Sequence, residues 1–245
     1  MTPQIPLATK GAARKRILIV EDHPLMREGL RGAINRDPNM MVCGEAENAK
    51  QAMEVVEKSS PDLVLLDITL PGKSGLELLK DIKAKHPQLR MLAISMHDES
   101  LYAERALHAG ASGYINKERP PEELLKAIRQ VLSDHIYVSN DVSENIVNRH
   151  IGWPVTASPL SELTDREFEI FQMYGVGLSP KEIAKQLCLS VKTVAAHNAN
   201  IRLKLKLKST AHLVRLAVQL EDSKAVVRPS AAAVLPPASP ANSRR

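Results

Sequence analysis

Between residues 16 and 135 the chain switches between two hydrophobic periodicities five times over. Short apolar runs at 17–20, 40–43, 63–66, 91–94 and 113–115 fit strands. After each of them, residues 25–34, 49–56, 76–82, 101–109 and 124–132 carry apolar side chains at helical spacing. Start signals agree: Ser74 with Glu77 is a capping box, and Pro120-Pro121 precedes the last helix. Strands that each lead into a helix demand a parallel sheet covered on both faces. The stretch is too short for a closed eight-stranded barrel. An α/β doubly wound five-stranded sheet is left, expected in flavodoxin-like order. Its functional crevice lies beyond the carboxyl ends of the strands.

The rhythm stops after this domain, placed at 16–137. Gly152-Trp153-Pro154 and Ser158-Pro159 mark a linker over 138–160, with Trp153 read as a linker residue packed on a surface. Helical segments near 165–174, 180–187, 191–205 and 210–220 form a second, all-α domain at 161–222. Residues 1–15 and the Pro/Ala/Ser-rich 223–245 read as disordered tails.

Charge separates along the same boundary. Residues 1–150 hold 20 Lys+Arg against 21 Asp+Glu, and residues 151–245 hold 13 against 7. Within 180–215, eight basic residues face the single acid Glu182. An acidic module joined to a basic one suggests control of nucleic-acid binding. No apolar run approaches the roughly 18 residues of a membrane span, and the N-terminus lacks the layout of a secretion signal. Cys43 and Cys188 fit neither a disulfide framework nor a zinc pattern, as expected of reduced thiols in a cytoplasmic protein.

Chemistry gathers at the strand ends. Glu21 and Asp22 follow the first strand and Asp67 the third, so parallel topology brings the three carboxylates together. Such acids raise one another's pKa. A hard cation relieves the conflict, and Mg2+ favours a few carboxylates with water and a phosphate oxygen. Ser95 ends the fourth strand and Lys117 follows the fifth, adding a hydroxyl and a cation. Acids, metal, hydroxyl and lysine form a site for a phosphoryl group on an aspartate, with Asp67 as nucleophile.

Four stretches carry a family resemblance: ILIVEDHP at 17–24, LLDITLPGKSG at 65–75, MLAISMHD at 91–98 and AGASGYINK at 109–117. With them, residues 16–135 resemble a response-regulator receiver domain. The resemblance implies that Asp67 accepts phosphate from a sensor histidine kinase. It implies that Glu21, Asp22 and Asp67 hold Mg2+ with the Thr69 main-chain carbonyl. Ser95 and Tyr114 would act as a switch pair, Ser95 turning in to the phosphoryl oxygen and Tyr114 filling the vacated space. Lys117 would contact the phosphoryl group. Glu at position 21, rather than Asp, is a mild variation. His23 and His97 border the crevice and are assigned to no metal.

In the second domain, Thr164 with Glu167 and Ser179 with Glu182 are capping boxes, the latter with Pro180 at the first helical position. Ala184 permits a close helix crossing, Ser190 can cap the next helix, and Leu187, Val194 and Ile201 tie the pair to a core. This spacing fits a helix-turn-helix whose second helix enters the DNA major groove. Residues 163–220 resemble the LuxR-type helix-turn-helix through LTDRE, GLS, KEIA, KTV with His197, and KLKS. The whole chain resembles the NarL/FixJ class of response regulators.

The expected groove face is Lys192, Ala195, Ala196 and Ala199. Alanine cannot hydrogen-bond a base edge but can meet a thymine methyl. Base readout should therefore be modest, leaning on Lys192, Asn198 and thymine methyls. Much affinity for double-stranded DNA should come from phosphate contacts by Lys181, Lys192, Thr193, Arg202, Lys206 and Lys208. The last helix, with Leu213, Val214, Leu216, Ala217, Val218 and Leu220, is more apolar than one small core needs, which suggests a homodimer.

The expected function is a phosphorylation-controlled transcription regulator rather than an enzyme. Two rivals stay open. An aspartate-nucleophile phosphatase also attacks with a strand-end Asp, but its usual second Asp two residues on is here Thr69. A DNA-binding protein whose receiver serves only for pairing would ignore phosphodonor and magnesium.

Overall fold

The computed structural model describes residues 13–96, 99–150 and 159–227. Expectations for Trp153, for His97 and for most of both tails fall outside these residues.

The first domain runs β1 (Lys15–Val20), α1 (Pro24–Arg36), β2 (Met40–Ala46), α2 (Ala49–Ser59), β3 (Leu63–Asp67), α3 (Gly75–Lys85), β4 (Arg90–Ser95), α4 (Glu99–His108), β5 (Gly113–Asn116) and α5 (Pro121–Leu132). The strands form one parallel sheet in the order β2-β1-β3-β4-β5. Strand alternation sorts the core into two layers. Ile17, Ile19, Leu63, Leu65, Leu92 and Ile94 pack on Leu30 and Ile34 of α1 and on Ala127, Ile128 and Val131 of α5. Leu18, Val20, Val64, Leu66, Met91 and Ala93 face α2, α3 and α4. Burying both faces is what the continuous apolar strands require.

Three expected boundaries move. Lys15 lies in β1, inside the expected N-terminal tail. The expected linker contains a helix, α6 (Asn140–His150), anchored where the Ser139 N–H donates to Glu99 of α4 at 2.8 Å. Among the described side chains of α6, Val142 and Ile146 join the core, too sparse a stripe for hydrophobic periodicity to reveal.

After a short 3-10 turn at Pro159–Glu162 come α7 (Asp165–Gly175), α8 (Pro180–Gln186), α9 (Val191–Lys204) and α10 (Thr210–Val227). The capping boxes at Ser74, Thr164 and Ser179 form as their sequences require. α10 continues five residues past the expected 222 boundary, to Val227. The apolar layer under α4 runs without a break into the core of the helical domain, through Tyr102 and Phe168.

Candidate functional site: a phosphoryl-acceptor pocket and a DNA-reading helix

β1 and β3 are neighbours in register, Val20 opposite Leu66, so both chains leave the sheet at the same edge. Glu21 and Asp22 then lie beside Asp67. Gly75 fixes how α3 leaves this edge. A Cβ there would sit 2.2 Å from the Asp67 carbonyl oxygen, so only glycine lets α3 start against the end of β3. On the other side, the Lys117 N–H donates to the Ser95 carbonyl at 2.8 Å, which turns the lysine side chain back over the edge.

Lys117 Nζ reaches both acids, at 2.8 Å from Asp67 Oδ2 and 2.6 Å from Glu21 Oε2. The Thr69 N–H donates to Asp67 Oδ1 at 3.0 Å. Arg27 holds the Glu21 main-chain carbonyl at 2.7 Å. Glu21, Ser95 and Tyr114 are fully buried, and Asp67 is 1% exposed. Burial pushes the Asp67 carboxyl up to about 6; neighbouring Glu21 adds to this, while Lys117 and the Thr69 N–H oppose it. Burial also works against the Lys117 ammonium, but Asp67 and Glu21 outweigh it and hold its pKa above the usual value.

The structure thus brings Glu21, Asp22, Asp67 and Lys117 together, with Thr69 beside them through its main chain. Ser95 and Tyr114 are buried on the neighbouring strands. Tyr114 already occupies an interior position, so the inward fill expected on phosphorylation does not start from an exposed ring. Ligand atoms of Glu21, Asp22, His23 and Asp67 lie within 4.8 Å of one another. The three carboxylates meet one lysine charge in this cluster, and oxygen donors with excess negative charge suit a hard divalent cation. His23, expected to border the crevice and assigned to no metal, lies within this cluster. Its Nδ1 lies 2.9 Å from Asp22 Oδ1 and 3.2 Å from Glu21 Oε1.

The second site is α9 with the turn before it. Ser190 caps α9 by accepting from the Thr193 N–H at 3.0 Å, and Leu187, Val194 and Ile201 are buried. Lys192, Ala195, Ala196 and Ala199 are exposed together on one side, as are Lys181, Lys206 and Lys208 nearby. Thr193 and Arg202 are half-buried. Asn198 corrects the expectation. It is buried, and its Oδ1 accepts from the Thr210 hydroxyl at 3.2 Å, tying α9 to the start of α10. It falls four residues after Val194 and three before Ile201, on the buried stripe, so it cannot share the face of Lys192. Asn200 is the exposed amide of this helix, and sequence reasoning missed it.

The helical domain rests on the sheet domain through α7. Arg105 of α4 stacks 4.2 Å from the Phe168 ring centroid and donates to the Leu163 carbonyl at 3.0 Å and to Asp165 at 3.2 Å. Lys80 of α3 pairs with Asp165 at 2.7 Å, and Tyr102 meets Phe168 edge-on at 5.0 Å. Arg166 donates to the Gly72 carbonyl in the loop after Asp67 and holds Glu169 at 2.6 Å. Burial raises the pKa of Glu169 against the pull of Arg166, and the negative charges of Glu77 and Asp67 add to the rise.

Residues 17–129 match the family described as response regulator receiver domain, and residues 161–217 match bacterial regulatory proteins, luxR family. The chain is similar to the transcriptional activator protein ExaE of Pseudomonas putida, 37% identical over 204 residues, which is 83% of this chain and 95% of that one. It is similar to the nitrate/nitrite response regulator protein NarL of Escherichia coli K12, 34% identical over 194 residues, 79% of this chain and 90% of that one. Among solved structures, the RcsB response regulator of Salmonella typhimurium shares the fold, with a TM-score of 0.63 at 21% identity over 85% of this chain and 99% of that one. A parallel five-stranded sheet with an acidic, lysine-clasped edge and a basic helix-turn-helix define the class. The chain belongs to the two-component transcriptional response regulators that join a receiver domain to a LuxR-type DNA-binding domain.

Proposed function

We propose that Asp67 is the phosphoryl acceptor, that Mg2+ bound by Glu21, Asp22 and Asp67 with the Thr69 carbonyl supports the transfer, and that phosphorylation controls DNA binding by α9. The observation that carries this reading is the clasp: one lysine spans Glu21 and Asp67 at the mouth of a buried carboxylate pocket. An Asp67 oxygen forms the new P–O bond as the bond from phosphorus to the donor breaks. With a sensor histidine kinase the donor is a phosphohistidine, and the imidazole nitrogen leaves with the electron pair. Lys117 stays within reach of the transferring oxygens, and the Thr69 N–H holds the second carboxylate oxygen in place. The metal, when bound, supplies neutralisation of the charge that builds on the phosphoryl group. Ser95, at the end of β4, is the hydroxyl placed to follow the new phosphoryl oxygens.

On the DNA side, Lys192 and the exposed alanines face the major groove, with Asn200 in place of Asn198 as the amide at its edge. Lys181, Lys192, Arg202, Lys206 and Lys208 supply the phosphate-directed charge, and Thr193 a hydroxyl donor. In α10, Leu213 and Ala217 are buried in its own domain and Val214, Leu216 and Leu220 pack against the same core, which leaves half-buried Val218 as the apolar residue that suits a two-fold homodimer reading two half-sites. No helix among the described residues is long and apolar enough to cross a membrane, and the reduced cysteines support a cytoplasmic setting. The test is a DNA-binding titration with Mg2+ and acetyl phosphate. Wild type should bind tighter when the donor is present, and Asp67→Asn should not respond. An equal response of the two proteins would reject Asp67 as the control point.

A further inference from the structure

Helix N-caps are usually small polar residues whose side chains bond the first turn. α1 has a histidine there, and the His23 side chain makes no capping hydrogen bond. It meets the acids instead. The His23 main-chain N–H donates to Glu21 Oε1 at 3.2 Å, which fixes that oxygen beside the ring. Nδ1 of the ring stands 3.2 Å from the same oxygen and 2.9 Å from Asp22 Oδ1. One ring nitrogen carries at most one hydrogen, so it can answer only one of the two oxygens. The hydrogen-bond geometry falls to Glu21, and Asp22 Oδ1, closed to water, has no hydrogen-bond partner among the described residues. A shared ion would answer all three atoms. Around an octahedral ion with bonds of about 2.1 Å, neighbouring donors lie about 3.0 Å apart. Asp67 completes the group, with ligand atoms of the four residues within 4.8 Å of one another. The His23 side chain is 70% exposed, so the cluster is reached from solvent on this side.

We propose that His23 is a metal ligand, and that its imidazole makes the acid pocket select a borderline transition ion of the Co2+ or Ni2+ kind over Mg2+. The proposal rests on this pocket holding a divalent ion and adds which ion it selects. Charge does not separate these ions. Three carboxylates against the Lys117 ammonium leave two negative charges, which any divalent cation balances. The nitrogen donor does separate them. Mg2+ prefers oxygen and gives up its water reluctantly, so an imidazole adds little to its binding. Imidazole suits the later first-row ions, whose affinity for a mixed nitrogen and oxygen site rises through Co2+ to Ni2+. The place for phosphate is kept. Glu21, Asp22, Asp67, His23 and the Thr69 carbonyl make five donors, so a six-coordinate ion retains one position for a phosphoryl oxygen.

The test is ion binding by the untagged full chain, measured by calorimetry with Co2+ and with Mg2+ and without any phosphodonor. Wild type, His23→Gln and Asp22→Asn are compared. His23→Gln should lose about tenfold or more of the Co2+ affinity and keep its Mg2+ affinity within about twofold. The visible absorption of bound Co2+ should change in the same variant, because a nitrogen donor has been replaced by oxygen. A residue that acted on the ion only through charge or packing would move both affinities together and leave the spectrum in place. Equal changes in the two affinities, in either direction, therefore overturn the proposal, as does a Co2+ spectrum that His23→Gln leaves unaltered. Asp22→Asn should weaken both ions. If it weakens neither, the ion sits outside this pocket and the metal reading of the pocket fails instead, so the two failures are distinct.

Discussion

Asp67 is a strained acid by environment. Its folded pKa of about 6 stands above the ordinary 3.8, chiefly through burial. Between these values the native chain holds a proton that the unfolded chain has released. Metal-free stability therefore falls as pH rises from about 4 to 6, and the full penalty persists above that. Asp67→Asn removes it, so the variant should be about 2 kcal/mol more stable than wild type at pH 7.5 without Mg2+, and no more stable near pH 3.5. Urea unfolding at both pH values checks this; an unstabilised variant at pH 7.5 would show that Lys117 fully offsets the burial. Mg2+ acts on the same excess of negative charge. It should raise the melting temperature of wild type, and Asp22→Ala should lose most of that rise in a thermal scan.

At the scale of elements, close approach and helix phase decide function. Gly75→Ala would press a methyl against the Asp67 carbonyl, 2.2 Å from an ideal Cβ, so α3 must shift. The expected cost is at least about 2 kcal/mol in a denaturation curve, with slower phosphoryl acceptance because the edge carrying Asp67 moves. On α9, Lys192→Ala should weaken binding to every DNA sequence and lower the salt slope by about one. Asn198→Ala should instead destabilise the domain by about 1 kcal/mol, through the lost bond to Thr210, and leave the salt slope unchanged. The sheet was legible from sequence because strands buried on both faces read as apolar runs, and the crevice because the first, third, fourth and fifth runs lead into Glu21 and Asp22, Asp67, Ser95 and Lys117. Asn198 was misplaced because its neighbours Ala195, Ala196 and Ala199 carry little hydrophobic contrast to fix the phase of α9. α6 stayed hidden for the same reason. The seat of α7 on the receiver was not legible at all: Arg105, Asp165, Arg166 and Glu169 read as ordinary surface charges until tertiary contact pairs them.

The whole molecule is two domains sharing one apolar layer, with the Asp67 carboxylate near α7 and the Lys192 face of α9 exposed. Everything depends on where the phosphoryl group goes. Mass mapping of the chain after acetyl phosphate and Mg2+, with borohydride trapping of the acyl phosphate, locates it directly. A single modified position at Asp67, lost when Mg2+ is chelated and absent from Asp67→Asn, is the predicted result. Modification at another residue, or an unchanged yield in Asp67→Asn, would contradict the account.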